Sequence, residues 1–212
     1  MASIVSMLGI DAIDYSTTAG MLDRWTDATG EPWVLSAYDR DRLRSKEWHR
    51  TAEQLLVWRA GNWLYDNAQK LGCWETWRDT VVYDMPADWT GGGFLTVFDP
   101  VASWAGTYTI RVHYQGSITK TCPYYPNVRP ECCYYSAELQ GAYMVDDVYR
   151  WYKPEERGWE QFKNYMVPLG MIEEAGQAKE FSWRAFWQDA WQKSGRWDNL
   201  EAILQLAPHF GQ

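Results

Sequence analysis

Fifteen tryptophans in a chain of 212 residues constrain this protein more than any other feature of its sequence. Each indole is a large apolar plane with a single N–H group to satisfy. One core cannot hold all of them, so we expect part of this set to lie at surfaces that meet another molecule. Tyrosine and phenylalanine raise the aromatic content to 17%, which is typical of protein interfaces and sugar-binding faces.

Composition and charge exclude several classes of protein. A chain that is 46% hydrophobic and 23% charged is globular and not disordered. The net charge of -8 and the lack of a basic stripe exclude direct nucleic-acid binding. The sequence has no apolar run of about 18 residues and no basic start of a signal peptide. We therefore expect no membrane association, and a cytoplasmic location during synthesis.

Apolar spacings of three and four residues predict helices in several segments. The segment 41–71 carries such a stripe, from Ala52 to Leu71. A second helix is predicted near the C-terminus, where Ser182 would be the cap and the apolar face would be aromatic. Its face comprises Trp183, Phe186, Trp187, Ala190 and Trp191. Further helices are predicted over Thr17–Trp25, from Pro154 and from Leu200.

The middle of the chain changes to a period of two. In 106–116, apolar residues from Tyr108 to Tyr114 alternate with polar ones, which predicts a half-buried strand followed by a hairpin turn at Gly116-Ser117. Shorter strands are predicted at 81–83, 94–98 and 133–139. The predicted fold class is α+β, with helices flanking a small antiparallel β-sheet or sandwich insert. The predicted parts are 1–77, mostly helical; 78–150, the β insert; and 151–212, C-terminal helices that pack with the N-terminal ones.

No motif in the chain predicts catalysis or a cofactor. There is no GxSxG, and the three histidines have no triad setting. The acidic pairs Asp11 with Asp14 and Asp146 with Asp147 are typical of solvated turns. We therefore expect no catalytic residue and no cofactor.

Three cysteines, Cys122, Cys132 and Cys133, lie in a proline-rich segment. Three chemical states of these cysteines are compatible with the sequence. They could be reduced thiols, Cys122 could close a loop by a disulfide with Cys132 or Cys133, or the three could bind a metal together with His113.

Aromatic residues near loops are candidate contacts with a partner. The segment 121–131 combines three prolines with two tyrosines, which lowers the entropy lost on docking, so we expect it to project from the sheet. The interface candidates are Tyr124, Tyr125, Tyr149, Trp151, Tyr152 and Trp187.

The segment Tyr83-Asp84-Met85-Pro86-Ala87-Asp88-Trp89 resembles a short sequence motif of a known protein family. Head-to-tail adaptor proteins of tailed bacteriophages carry Tyr-x-Leu-Pro-Ala-Asp-aromatic where a helix is followed by the start of their β part. The resemblance implies other protein subunits as partners, either in a homo-oligomer or of the portal or tail type, with no active site and a place in the virion. We therefore expect a non-enzymatic assembly protein of the phage neck or tail.

Two other functions are compatible with the composition. One is a carbohydrate-binding or carbohydrate-cleaving protein that uses Trp and Tyr stacking and an acidic pair. The other is an accessory subunit of a bacterial enzyme complex.

Overall fold

The computed structural model describes residues 16–87, 101, 105, 107–123, 133–149, 171, 172 and 175–196. Its helices are α1 (Ser16–Thr26), α2 (Ala37–Arg44) and α3 (Glu47–Ala68). Its strands are β1 (Trp33–Val34), β2 (Thr76–Ala87), β3 (Tyr108–Thr121), β4 (Tyr134–Tyr149) and β5 (Phe181–Arg196). The strands form one sheet in the order β1-β5-β4-β3-β2, with β1 parallel to β5 and β3 antiparallel to β4. This mixed sheet with helices confirms the predicted α+β class.

Helix α3 covers most of the predicted apolar stripe, but the helical segment predicted over 41–71 is interrupted at residues 45 and 46 and ends at Ala68. The stripe is buried at every turn, and the burial of this face stabilises the helix more than intrinsic propensity does. The buried apolar residues of the stripe are Ala52, Leu56, Ala60, Leu64 and Ala68. Helix α3 packs against β2.

Strand β3 runs past the position where a hairpin turn was predicted, so that prediction is wrong. Gly116 pairs with Leu139 inside the β3–β4 ladder, which continues to Thr121 opposite Tyr134. The glycine does not form a turn; its missing side chain lets α3 lie close to the β3 backbone. A Cβ at residue 116 would lie 2.6 Å from the Trp63 ring and 2.8 Å from a methyl group of Leu64 on α3.

The aromatic segment near the C-terminus is strand β5, so the predicted helix over 183–191 is wrong. Burial alternates along it: Trp183, Ala185 and Trp187 are buried, whereas Phe186 between them is 48% exposed. The tryptophans at 183, 187 and 191 are four residues apart, a spacing that suits one face of a strand as well as one face of a helix. Pairing with neighbouring strands decided between the two.

The chain divides into two compact units. Unit 1 comprises 1–45, 88–108 and 146–185, and unit 2 comprises 46–87, 109–145 and 186–212. In the described part of unit 1, aromatic rings pack in pairs: Tyr149 stacks on Phe181 at 5.4 Å, and Tyr108 meets Trp183 edge-on at 5.6 Å. Unit 2 contains α3. The three-part division predicted from the sequence stays a prediction.

Several predicted elements fall outside the described residues: the strand at 94–98 and the helices from Pro154 and Leu200. The helix predicted over Thr17–Trp25 corresponds to α1. Within the described ranges, the helices are too short or too polar to cross a membrane.

Candidate functional site

The outward face of the sheet in unit 2 carries an open groove of about 420 Å³. Because side chains alternate along a strand, one in every two residues of its strands points away from α3. The polar residues of this face that line the groove come from four strands. They are Thr80, His113, Gln115, Gln140 and Gln188.

Two alanines, Ala142 and Ala190, also line the groove and are exposed. Their small side chains leave room between the longer polar ones, so a ligand can approach the sheet backbone closely. Gln115 of β3 and Gln140 of β4 lie directly opposite each other in the ladder. The described part of the chain provides no hydrogen-bond partner for either side chain, so both amides are available to a ligand.

Charged and polar pairs lie on the same strands outside the groove. The guanidinium of Arg111 donates two hydrogen bonds, of 2.8 and 3.0 Å, to the Asp84 carboxylate. This hydrogen bonding lowers the pKa of Asp84 below its usual range and raises the pKa of Arg111. Gln192 donates a hydrogen bond of 3.1 Å to Glu138. Asp84 and Arg111 compensate each other, and Asp189 is the one carboxylate among the described residues that line the groove. The other polar side chains of the lining are amides, hydroxyl groups and an imidazole.

A buried aromatic and polar cluster lies on the inner face of the same strands. The hydroxyl groups of Tyr114 and Tyr143 are 2.8 Å apart, and Tyr143 stacks on Trp187 with centroids 5.2 Å apart. The His49 ring lies 5.3 Å from the Trp187 ring, and His49 Nε2 lies 3.3 Å from Glu53 Oε1. Burial raises the pKa of both tyrosines above the ordinary value of a tyrosine hydroxyl.

This inner cluster is inaccessible to an external substrate. The side chains of His49 and Glu53 are 0% and 2% exposed. An acid–base pair must reach the proton that it transfers, either directly or through one water molecule. The pair therefore lies within the packing between α3 and the sheet, where an external substrate does not reach it.

A second cluster in unit 2 consists of three cysteines. The sulfur atoms of Cys73, Cys122 and Cys133 all lie within 4.8 Å of one another. Cys73 is exposed, whereas Cys122 and Cys133 are 2% and 1% exposed. The predicted metal set is therefore only partly brought together: Cys122 and Cys133 join Cys73, while His113 lines the groove and Cys132 lies outside the described residues.

Sequence reasoning missed Cys73 because it lies 49 residues before Cys122. It missed the groove because the lining residues come from four strands. Neither this combination nor the order of the strands in the sheet can be recognised from a local sequence pattern. The one available signal was the alternation in β3, which placed His113 and Gln115 on a polar face.

Two of the predicted interface residues are buried in the structure. Tyr149 is 6% exposed and packs on Phe181, and Trp187 is 6% exposed beneath the groove. Tyr124, Tyr125, Trp151 and Tyr152 lie outside the described residues, as does most of the 121–131 segment. Contact between these residues and a partner stays a prediction.

Of the two acidic pairs, Asp146 and Asp147 lie among the described residues. Asp146 accepts a hydrogen bond of 3.1 Å from Arg184, so it belongs to an ion pair on the sheet surface. Asp11 and Asp14 lie outside the described residues.

Comparison with known proteins gives two similar solved structures. No protein-family model and no curated protein matches the chain. PaeM, a colicin M-like bacteriocin produced by Pseudomonas aeruginosa, is similar at 15% identity and a TM-score of 0.44, over 84% of this chain and 50% of PaeM. Pectocin M2 is similar at 16% identity and a TM-score of 0.25, over 56% of this chain and 34% of pectocin M2.

These two structures are bacteriocins and not phage adaptors, so the predicted membership in the head-to-tail adaptor family is wrong. The predicted role as a viral structural protein in neck or tail assembly is corrected with it. The findings do not favour the carbohydrate or accessory-subunit alternatives either. The chain spans about half the length of PaeM. Because both TM-scores are below 0.5, neither likeness carries an argument about activity.

Proposed function

We propose that unit 2 is a binding module whose groove receives an extended, uncharged polypeptide segment of a partner protein. The observation that carries this proposal is the row of glutamine amides, Gln115, Gln140 and Gln188, on three neighbouring strands around a floor of small residues.

Glutamine amides complement a peptide backbone. Each peptide unit offers one N–H donor and one C=O acceptor, and a glutamine side chain offers the matching acceptor and donor. Strands β3, β4 and β5 are neighbours, and two strand spacings amount to roughly 10 Å. An extended chain covers that distance with about three residues.

The electrostatics of the groove favour an uncharged segment. Asp84 and Arg111, on the strands that form the groove, are paired with each other and offer little to a charged ligand. The net charge of -8 disfavours an acidic one. The floor residues Ala142 and Ala190 allow the bound backbone to lie close to the sheet.

Binding to an array of random hexapeptides tests the proposal. The wild-type chain should select peptides without charged residues. Ala142→Arg fills the groove and should abolish this binding. Gln140→Ala should weaken binding about 5-fold, because one net hydrogen bond contributes about 1 kcal/mol.

Asn62→Arg is the matched control, since it adds the same side chain at an exposed position of α3. This variant should bind the selected peptides as the wild type does. Equal binding by Ala142→Arg and the wild type would contradict the proposal. Selection of peptides by charge alone would contradict it as well.

A further inference from the structure

The three clustered cysteines come from three separate elements of unit 2. Cys73 follows α3, Cys122 follows the last residue of β3, and Cys133 precedes the first residue of β4. The β3–β4 ladder ends with Thr121 opposite Tyr134, so Cys122 and Cys133 are the next facing pair, with Cα atoms 4.4 Å apart. Cys122 thus faces Cys133 across the ladder.

Backbone hydrogen bonds hold Cys73 beside this pair. The Trp74 amide donates to the Lys120 carbonyl at 2.9 Å, and the Lys120 amide donates to the Glu75 carbonyl at 3.0 Å. The Lys120 ammonium group donates to the Leu71 carbonyl at 2.9 Å. These bonds fix the turn after α3 against the end of β3, and the Cα atoms of Cys73 and Cys122 are 5.5 Å apart.

The valence of sulfur limits the number of disulfide bonds that these three cysteines can form. The Cys122 sulfur lies against both Cys73 and Cys133. A cysteine sulfur forms one disulfide at a time, so a disulfide to either neighbour would leave the third cysteine without a bond. A single metal ion uses all three sulfurs at once, because each thiolate donates one electron pair to it.

We propose that Cys73, Cys122 and Cys133 bind one thiophilic metal ion of the zinc class. Three thiolate ligands favour zinc and other soft ions over magnesium and calcium. Zinc–sulfur bonds of about 2.3 Å in a tetrahedron place the sulfurs about 3.8 Å apart. The three sulfurs lie within 4.8 Å of one another, so one ion can contact all of them. The Cys122 sulfur lies closer to both neighbours than a tetrahedral site allows, so its side chain must rotate to admit the ion.

The exposure of the three residues shows on which side a fourth ligand would bind. Cys122 and Cys133 are buried, whereas Cys73 is exposed, so the cluster opens to solvent on the Cys73 side. Among the described residues, the cluster includes no histidine and no carboxylate. In the proposed site, a water molecule on this open side is the fourth ligand. The ion connects the end of α3 to the β3–β4 ladder, and its binding releases the thiol protons.

Zinc binding to the fully reduced chain tests this proposal. The wild type should retain one zinc per chain after gel filtration, measured by mass spectrometry of the metal. Cobalt in place of zinc should give the near-ultraviolet absorption of cobalt–thiolate bonds. Cys73→Ser should weaken zinc binding by at least about 100-fold, because loss of a mere outer-shell partner already costs 10- to 100-fold.

Two variants distinguish this site from the set predicted from the sequence. Cys132→Ser removes the remaining cysteine of the chain, and His113→Ala removes the predicted histidine ligand. Both should retain zinc with wild-type affinity. Failure of Cys132→Ser or His113→Ala to bind zinc would overturn the assignment.

Metal binding by the wild-type chain alone also tests the proposal. If the reduced chain, folded by circular dichroism, retains no zinc at micromolar concentration and gives no cobalt–thiolate absorption, the site does not exist. If Cys73→Ser fails to fold, a one-to-one zinc content and the cobalt spectrum of the wild type support the proposal without that variant.

Discussion

Replacing Trp187 by alanine tests the packing beneath the groove. The residue is 6% exposed, its ring stacks on Tyr143 at 5.2 Å, and the His49 ring lies 5.3 Å away. Burying a tryptophan side chain removes about 200 Å² from water, which amounts to about 5 kcal/mol at 25 cal/mol per Å². That area refers to an extended unfolded chain and is an upper bound. We expect a loss of about 4 kcal/mol in the free energy of unfolding.

Urea denaturation followed by far-ultraviolet circular dichroism measures this loss. Phe186→Ala is the matched control, since Phe186 is the adjacent residue of β5 and is 48% exposed. It should cost about 1 kcal/mol, because adjacent residues of a strand point to opposite faces. In a helix, both residues would lie on one aromatic face. Equal losses from the two variants would therefore refute the strand assignment.

Three further changes have expected outcomes in the same urea assay. Gly116→Ala should lower the free energy of unfolding by about 1–3 kcal/mol, because the new Cβ would lie 2.6 Å from Trp63; an unchanged midpoint contradicts the close approach. Burial raises the pKa of Tyr135 to about 12. The folded chain then keeps a proton that the unfolded chain loses near pH 10, so stability should fall as pH rises from 10 to 12, and less steeply in Tyr135→Phe. Asp84→Asn should cost less than about 1 kcal/mol at pH 7, because its pair with Arg111 is solvent-exposed; a larger cost contradicts that reading.

The elements with one unambiguous period were predictable from the sequence. The stripe of α3 has the helical spacing over several turns, and the alternation from Tyr108 to Tyr114 has the period of a strand. β5 was mispredicted because Trp183, Trp187 and Trp191 are four residues apart, which fits both periods. Its neighbours in the sheet decided the outcome, and tertiary pairing of this kind has no local signal.

The candidate sites were less predictable than the elements that carry them. His113 and Gln115 were assigned to a polar face of β3, but the groove also needs residues from β2, β4 and β5, whose order is not readable from the sequence. The cysteine cluster needs Cys73, which reaches Cys122 only because the turn after α3 is hydrogen-bonded to Lys120. Residues that are brought together by strand order and turn geometry have no characteristic spacing in the sequence.

Strand β3 relates the groove to the cysteine cluster. His113 and Gln115 of this strand line the groove, and Cys122 follows its last residue. A slip of one residue between β3 and β4 would turn Gln115 away from the groove and would separate Cys122 from Cys133. A metal ion that links these two cysteines would oppose such a slip, since the slipped ladder could no longer supply its ligands. In the proposed arrangement, the ion therefore maintains the register that places Gln115 opposite Gln140.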